Sequence, residues 1–397
     1  MKKVFLLLVL LMGIFCTEAY GTDTIYLPSD THPRVLLNRE FITFLKNNRN
    51  REDVAPSYKY LLELAQKKLP AQPGKKELSF SISNQLAARA FMYALGEVDD
   101  TNAKATVEYT IEYLTSPATG ETDPISIYKD FGVNGIETGS YVYDWCYSAM
   151  TDDQKVDLAA KIHMLIYSDV QPCRPDNINT AWSDIADKAV GQPLVYNSIA
   201  SIALYDVYPE VYQAIMPKIQ GAMADIVKLY GQAGALSDGS IAYTREYYSY
   251  KVATMFERMG ITNFYGDQTP IGYKMLYSRL PYGALIKQGD DFAQRNYVVG
   301  TYVNRSETTG MGMLGVQFKD PYLWYQYNKV NSNEKNLDKL LFLTAEEDIT
   351  PKLPDDLPLA YYVGEPRSEI MARTSWQDGI NSPAAAAYMN MNNRRTG

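Results

Sequence analysis

The side chains able to do chemistry in this 397-residue chain are unevenly supplied: 33 tyrosines stand against 12 phenylalanines, two histidines and three cysteines. A tyrosine offers an apolar ring face and a hydroxyl together, which suits a surface that stacks on sugars and hydrogen-bonds to them. The competing reading is that tyrosine takes the place of phenylalanine in helix packing, and composition alone does not choose between the two. His32 and His163 leave little material for a zinc site. His32 sits in an entry loop and His163 in an amphipathic stretch, and a structural role is expected of both. Glycoside hydrolysis would need a pair of carboxylates across a cleft; Asp184, Asp187 and Asp238 are available, yet no spacing singles them out.

The chain opens with the charged Lys2 and Lys3, an apolar run over 4–15 and small residues around Ala19-Tyr20-Gly21. This is the pattern of a signal peptide, with cleavage expected after Gly21 and export to the periplasm or beyond. A lipid anchor at Cys16 is the weaker alternative, since bulky Phe15 precedes it. No later stretch is long and apolar enough to span a membrane. Of the remaining cysteines, Cys146 lies in the aromatic run Tyr143-Asp144-Trp145-Cys146-Tyr147 and is expected to be packed. Two cysteines are no disulfide framework, although an exported Cys146 and Cys173 would be permitted to pair.

A net charge of −8 provides no basic field for a polyanion, so any acidic ligand must be held by local Arg and Lys, and nucleic acid is disfavoured. With 46% hydrophobic and 21% charged residues the chain can bury a large core and is expected to be ordered.

The elements that must position these side chains are mostly helical. Period-3.6 patterning predicts an amphipathic stretch around Phe41, Phe44 and Leu45, then helices over 58–68, 82–95, 101–114, 139–150, 156–167, 190–205, 211–230, 243–259 and 270–280. Two short helices follow near 308–318 and 337–343, and Thr151 or Asp152 caps the helix over 156–167. Many antiparallel helices on short loops suggest an α/α barrel or toroid. After the proline-rich linker Leu353-Pro354-Asp355-Asp356-Leu357-Pro358, strands are expected over 369–374 and 384–391. The organisation expected is a signal peptide over 1–21, an incomplete α/α toroid over 22–350, and over 351–397 a linker with the first strands of a β-sandwich. Two strands do not make an independent sheet domain.

Several short strings in order resemble the heparinase II/III family of polysaccharide lyases. They are Thr31-His32-Pro33-Arg34, Val142 to Tyr147, Ile202-Ala203-Leu204-Tyr205-Asp206, Arg258-Met259-Gly260, Asp355 to Leu359 and Met371-Ala372-Arg373-Thr374. The resemblance implies an α/α toroid followed by β-sandwich domains, and β-elimination on an acidic polysaccharide that contains uronic acid. That reaction needs a neutraliser for the uronate carboxylate, a base for the C5 proton and an acid for the departing oxygen.

The resemblance places the catalytic tyrosine after a polar, glycine-containing turn, which here is Ser237-Asp238-Gly239-Ser240 leading to Tyr243. Tyr247 and Tyr248 are alternates. A tyrosine ionises at roughly 10 and needs a nearby cation to act as a phenolate, a part Arg245 could play toward the tyrosine or the substrate carboxylate. No histidine stands where the resemblance would put one before Ile202, and Gln192 or Asn197 is expected in its place as an amide donor to the carboxylate. The resemblance also implies a histidine-containing turn and zinc ligands in the sandwich, whereas this chain reads Met389-Asn390-Met391-Asn392-Asn393-Arg394-Arg395 there. The expectation is therefore a chain without its own cofactor, truncated, and weak or inactive as a lyase; a non-catalytic protein that binds acidic polysaccharide is the alternative.

Overall fold

The structure, a computed structural model, describes residues 26–70, 80–115, 133–167, 188–233, 246–261, 265–281, 283, 286, 305–331, 334–364, 368–379 and 381–390. The segment expected to be a signal peptide, together with Cys173, Asp184, Asp187, Asp238, Tyr243, Arg245 and residues 391–397, lies outside them.

Among the described residues the chain is mainly helical, with thirteen α-helices and one small antiparallel sheet. The helices are α1 Arg39–Asn47, α2 Ala55–Gln66, α3 Phe80–Ala94, α4 Asp100–Thr115, α5 Val133–Trp145, α6 Asp152–Ile166 and α7 Lys188–Ala203. They continue with α8 Pro209–Ala233, α9 Glu246–Arg258, α10 Thr269–Tyr277, α11 Arg305–Gln317, α12 Pro321–Asn331 and α13 Leu337–Phe342. Local chemistry sets several of the starts. The Asn38 side chain accepts from Phe41 N at 2.8 Å and caps α1. Thr151 and Gln154 satisfy each other's backbone N–H groups in a capping box at the start of α6. None of the helices among the described residues is long and apolar enough to cross a membrane.

The packing alternates along the chain. Helix α3 lies on α5, α5 on α7, α7 on α9 and α9 on α11, while α2, α4, α6, α8, α10 and α12 lie against members of that series. The last helix, α13, returns to α2, so the two ends of the helical body meet. Arg258 of α9 joins the same seam, donating from its guanidinium to the carbonyls of Leu36 and Leu341. The core between these helices is rich in tyrosine: Tyr113, Tyr143, Tyr212, Tyr250 and Tyr327 are among the largest fully buried side chains. For these five the packing role holds, and the hydroxyls of Tyr113, Tyr143, Tyr212 and Tyr327 bond to Ser83, Asp206, the Tyr26 carbonyl and Glu334.

The sheet contains β1 Ala360–Val363, β2 Glu369–Arg373 and β3 Ala386–Asn390 in the order β1-β2-β3, with Val363 opposite Glu369 and Ile370 opposite Met389. It docks on α10. Tyr277 stacks on Tyr361 with ring centroids 5.1 Å apart, and the Tyr277 hydroxyl donates to the Pro358 carbonyl at 2.6 Å. Lys274 and Glu369 form an ion pair beneath the sheet.

Three features depart from the sequence reading. Helix α12 was not anticipated, because Pro321-Tyr322-Leu323-Trp324-Tyr325 is aromatic and carries no clear helical stripe; it forms where Gly312 and Gly315 of α11 allow close approach. Strand β1 falls in what looked like the end of a linker, and it exists through pairing with β2, a partner that local propensity does not reveal. Helix α5 begins at Val133 and ends at Trp145, six residues earlier than expected at its start, with a separate 3₁₀ turn over Tyr147–Ala149.

Candidate functional site

Helices α5, α7 and α9 meet at a polar cluster inside an otherwise apolar body. The cluster is built from Glu137 and Tyr141 on α5, Tyr196 on α7, Tyr248 and Lys251 on α9, and Asp338 in the first turn of α13. Glu137 and Tyr141 stand four residues apart, one helical turn, and the Tyr141 hydroxyl donates to Glu137 Oε1 at 3.2 Å. The Tyr141 ring lies parallel to Trp145 at 4.2 Å between centroids. Lys251, only 6% exposed, places its Nζ 2.7 Å from Asp338 Oδ2 and 5.1 Å from the centre of the Phe342 ring.

The electrostatics of the cluster follow from one cation among acidic groups. Burial pulls the Lys251 ammonium down, but the charges of Asp338 and Glu137 outweigh it and the net direction is up, so the side chain stays protonated. Burial pushes the Glu137 carboxyl up, with the charge of Lys251 opposing. The Tyr141 hydroxyl is held well above its ordinary value, first by burial and then by the charge of Glu137. A phenol in that setting stays neutral and donates a hydrogen bond, and it gives up its proton less readily than an exposed tyrosine.

The structure places the sequence candidates as follows. Tyr247 and Tyr248 belong to the first turn of α9, and Gln192 and Asn197 belong to α7. These two helices pack on each other, so amide and phenol candidates some fifty residues apart in sequence come from neighbouring elements. Tyr248 is half-buried against the core, and Asn197 is fully buried. The segment bearing Tyr243 and Arg245 leads directly into Glu246 of α9. Sequence reasoning missed Lys251, Glu137 and Asp338. The available signal was a single lysine inside the run Tyr250-Lys251-Val252-Ala253, a charge on a face that otherwise buries itself.

A second constellation ties the N-terminal arm to the body. His32 Nδ1 is 2.6 Å from Asp144 Oδ1, its ring stacks on Tyr147 at 3.7 Å, and its Nε2 faces Asp206 Oδ2 at 3.6 Å. Asp144 also accepts from the backbone N–H groups of Arg34 and Val35. Asp206 accepts from Tyr147 at 3.0 Å, from Tyr143 at 3.2 Å and from the Arg34 guanidinium. Burial draws the imidazole down, but its bonds to Asp144 and Asp206 and the charge of Asp144 leave it raised above 6.5. Burial works against the Asp206 carboxylate, yet its partners His32, Arg34 and Tyr147 hold it far below the usual range. Every charge in this knot is matched, which agrees with the structural role expected of His32. His163 is packed between the rings of Tyr167 and Tyr208. Cys146 is fully buried with a free thiol, as its aromatic surroundings suggested.

The fold and the cluster together define a mainly helical protein with a small docked sheet and a polar centre shared by three packed helices. Compared with known proteins, the chain matches no family model and no curated sequence.

Proposed function

We propose that this chain is an exported protein that holds an acidic, uronate-containing polysaccharide in a helical body of the α/α-toroid type, and that its chemistry is β-elimination. The observation that carries this reading is the packing of α7 on α9, which brings the helices of Gln192, Asn197, Tyr247 and Tyr248 side by side, with Tyr243 and Arg245 just before α9 in the chain. The alternating helix contacts and the return of α13 to α2 support the toroid. In this reading Tyr243 transfers the proton, and Arg245 and an amide from α7 meet the carboxylate. The three-stranded sheet is the start of a β-sandwich, to which the family resemblance assigns the remaining histidine and a zinc site.

The test is incubation of residues 22–397 with heparan-type, chondroitin-type and alginate chains. The ultraviolet absorbance of a new C4–C5 double bond is followed, and binding is measured at several salt concentrations. Salt-sensitive binding that Arg245→Ala weakens, together with the appearance of that absorbance, is the expected result. Release of sugar reducing ends without that absorbance would replace elimination by hydrolysis. Absence of binding to all three polymers would end the proposal.

A further inference from the structure

A cavity lies at the C-terminal end of α9. It has a volume of about 380 Å³, within the range that holds a monosaccharide-sized molecule. Its wall includes the last turns of α9 and α11, so two helix C-termini, with their partial negative charge, open onto it. Five charged side chains line it: Glu257, Arg258, Lys319, Glu346 and Glu347.

The cations there are already engaged. The Arg258 guanidinium is spent on two backbone carbonyls and lies 3.5 Å over the Phe41 ring, and Lys319 is paired with Glu347 at 2.8 Å. Glu257 and Glu346 have no ion-pair partner among the described residues. Glu257 is the informative one. It is half-buried, accepts from the Gln317 amide at 2.9 Å through Oε2, and holds Tyr265 N only at 3.4 Å through Oε1. Burial pushes its carboxyl up, the sign of an anion short of positive partners. A divalent metal is a poor fit, because no group of three or more His, Cys, Asp or Glu among the described residues is arranged to hold one.

We infer that this cavity binds a small molecule of about monosaccharide size that carries a primary ammonium group, with the ammonium seated on Glu257 between the ends of α9 and α11. The inference is independent of the polysaccharide reading, since it uses none of the residues placed in that site.

The experiment titrates the full chain with D-glucosamine by calorimetry, with N-acetylglucosamine as the charge-free control and calcium chloride as the metal control. Glucosamine should saturate a single site, N-acetylglucosamine should bind about tenfold more weakly or worse, and Glu257→Gln should erase that difference. The Gln substitution keeps the shape and an acceptor for Gln317, and the comparison of the two sugars on the unaltered chain needs no variant at all. Binding of heparan-type chains should be unchanged in Glu257→Gln, which separates failure here from failure of the polysaccharide reading. Equal binding of both sugars, no binding of glucosamine, or its displacement by calcium would each overturn the inference.

Discussion

Lys274 on α10 and Glu369 on β2 form an ion pair in which neither side chain is exposed to solvent. Glu369 also accepts from the Tyr388 hydroxyl of β3 at 2.8 Å, so one carboxylate joins the helical body to two strands of the sheet. Two charges taken from water in this way stabilise little as a pair, but removing one strands the other. The Lys274→Met variant is expected to lose about 3–5 kcal/mol in denaturant unfolding. The double variant Lys274→Met with Glu369→Leu should recover most of that loss, short only by the acceptor Tyr388 would miss. Equal losses in the single and double variants would show that the pair is not coupled as described.

The knot at His32 predicts how stability varies with pH. The imidazole is raised above its unfolded value of 6.5, so its contribution is complete below that pH and fades as pH rises through the folded value. Asp206 is lowered from 3.8, so its contribution is present above that pH and fades as pH falls toward the folded value. The knot should therefore be strongest between about pH 4 and 6.5. Chemical denaturation across pH should show the alkaline decline flatten in His32→Gln, while an unaltered decline would mean that another group controls it.

Thr151 closes the capping box of α6 with Gln154. Thr151→Ala leaves the Gln154 N–H without its side-chain acceptor and should cost about 1 kcal/mol. Thr151→Asp should cost much less, because an aspartate caps the same N–H and favours the helix start. Thermal melts of the three proteins would order them wild type, aspartate, alanine if the cap matters, and leave them indistinguishable if it does not.

Helices α11 and α12 approach closely at Gly315, where an added Cβ would stand 2.9 Å from the backbone nitrogen of Trp324. Backbone cannot swing aside as a side chain does, so Gly315→Ala should destabilise by roughly 1–3 kcal/mol despite alanine's better helix propensity. At Gly221, where nothing lies within 4 Å, the same substitution should be neutral or stabilising. If both glycines respond alike, the close approach of α12 is wrong.

The sequence by itself determined the helical character of the body and most of its elements. A helix that buries one face writes a 3.6-residue period into its own residues, and a cap such as Thr151 acts within three positions of itself. The aromatic setting of Cys146 was legible for the same reason, since its neighbours in the chain carry the signal. What only the tertiary structure decided are contacts between residues far apart in the chain. His32 meets Asp144 across 112 positions and Lys251 meets Asp338 across 87, pairings that no local pattern announces. Strand β1 needed β2 to satisfy its backbone, and α12 needed the missing Cβ atoms of α11, so neither was visible in its own residues. The tyrosine excess shows the division most directly. Its size is a property of composition, but whether a ring packs in the core, as Tyr113 and Tyr250 do, or stands half-buried near a site, as Tyr248 does, is set by which helix lies against it.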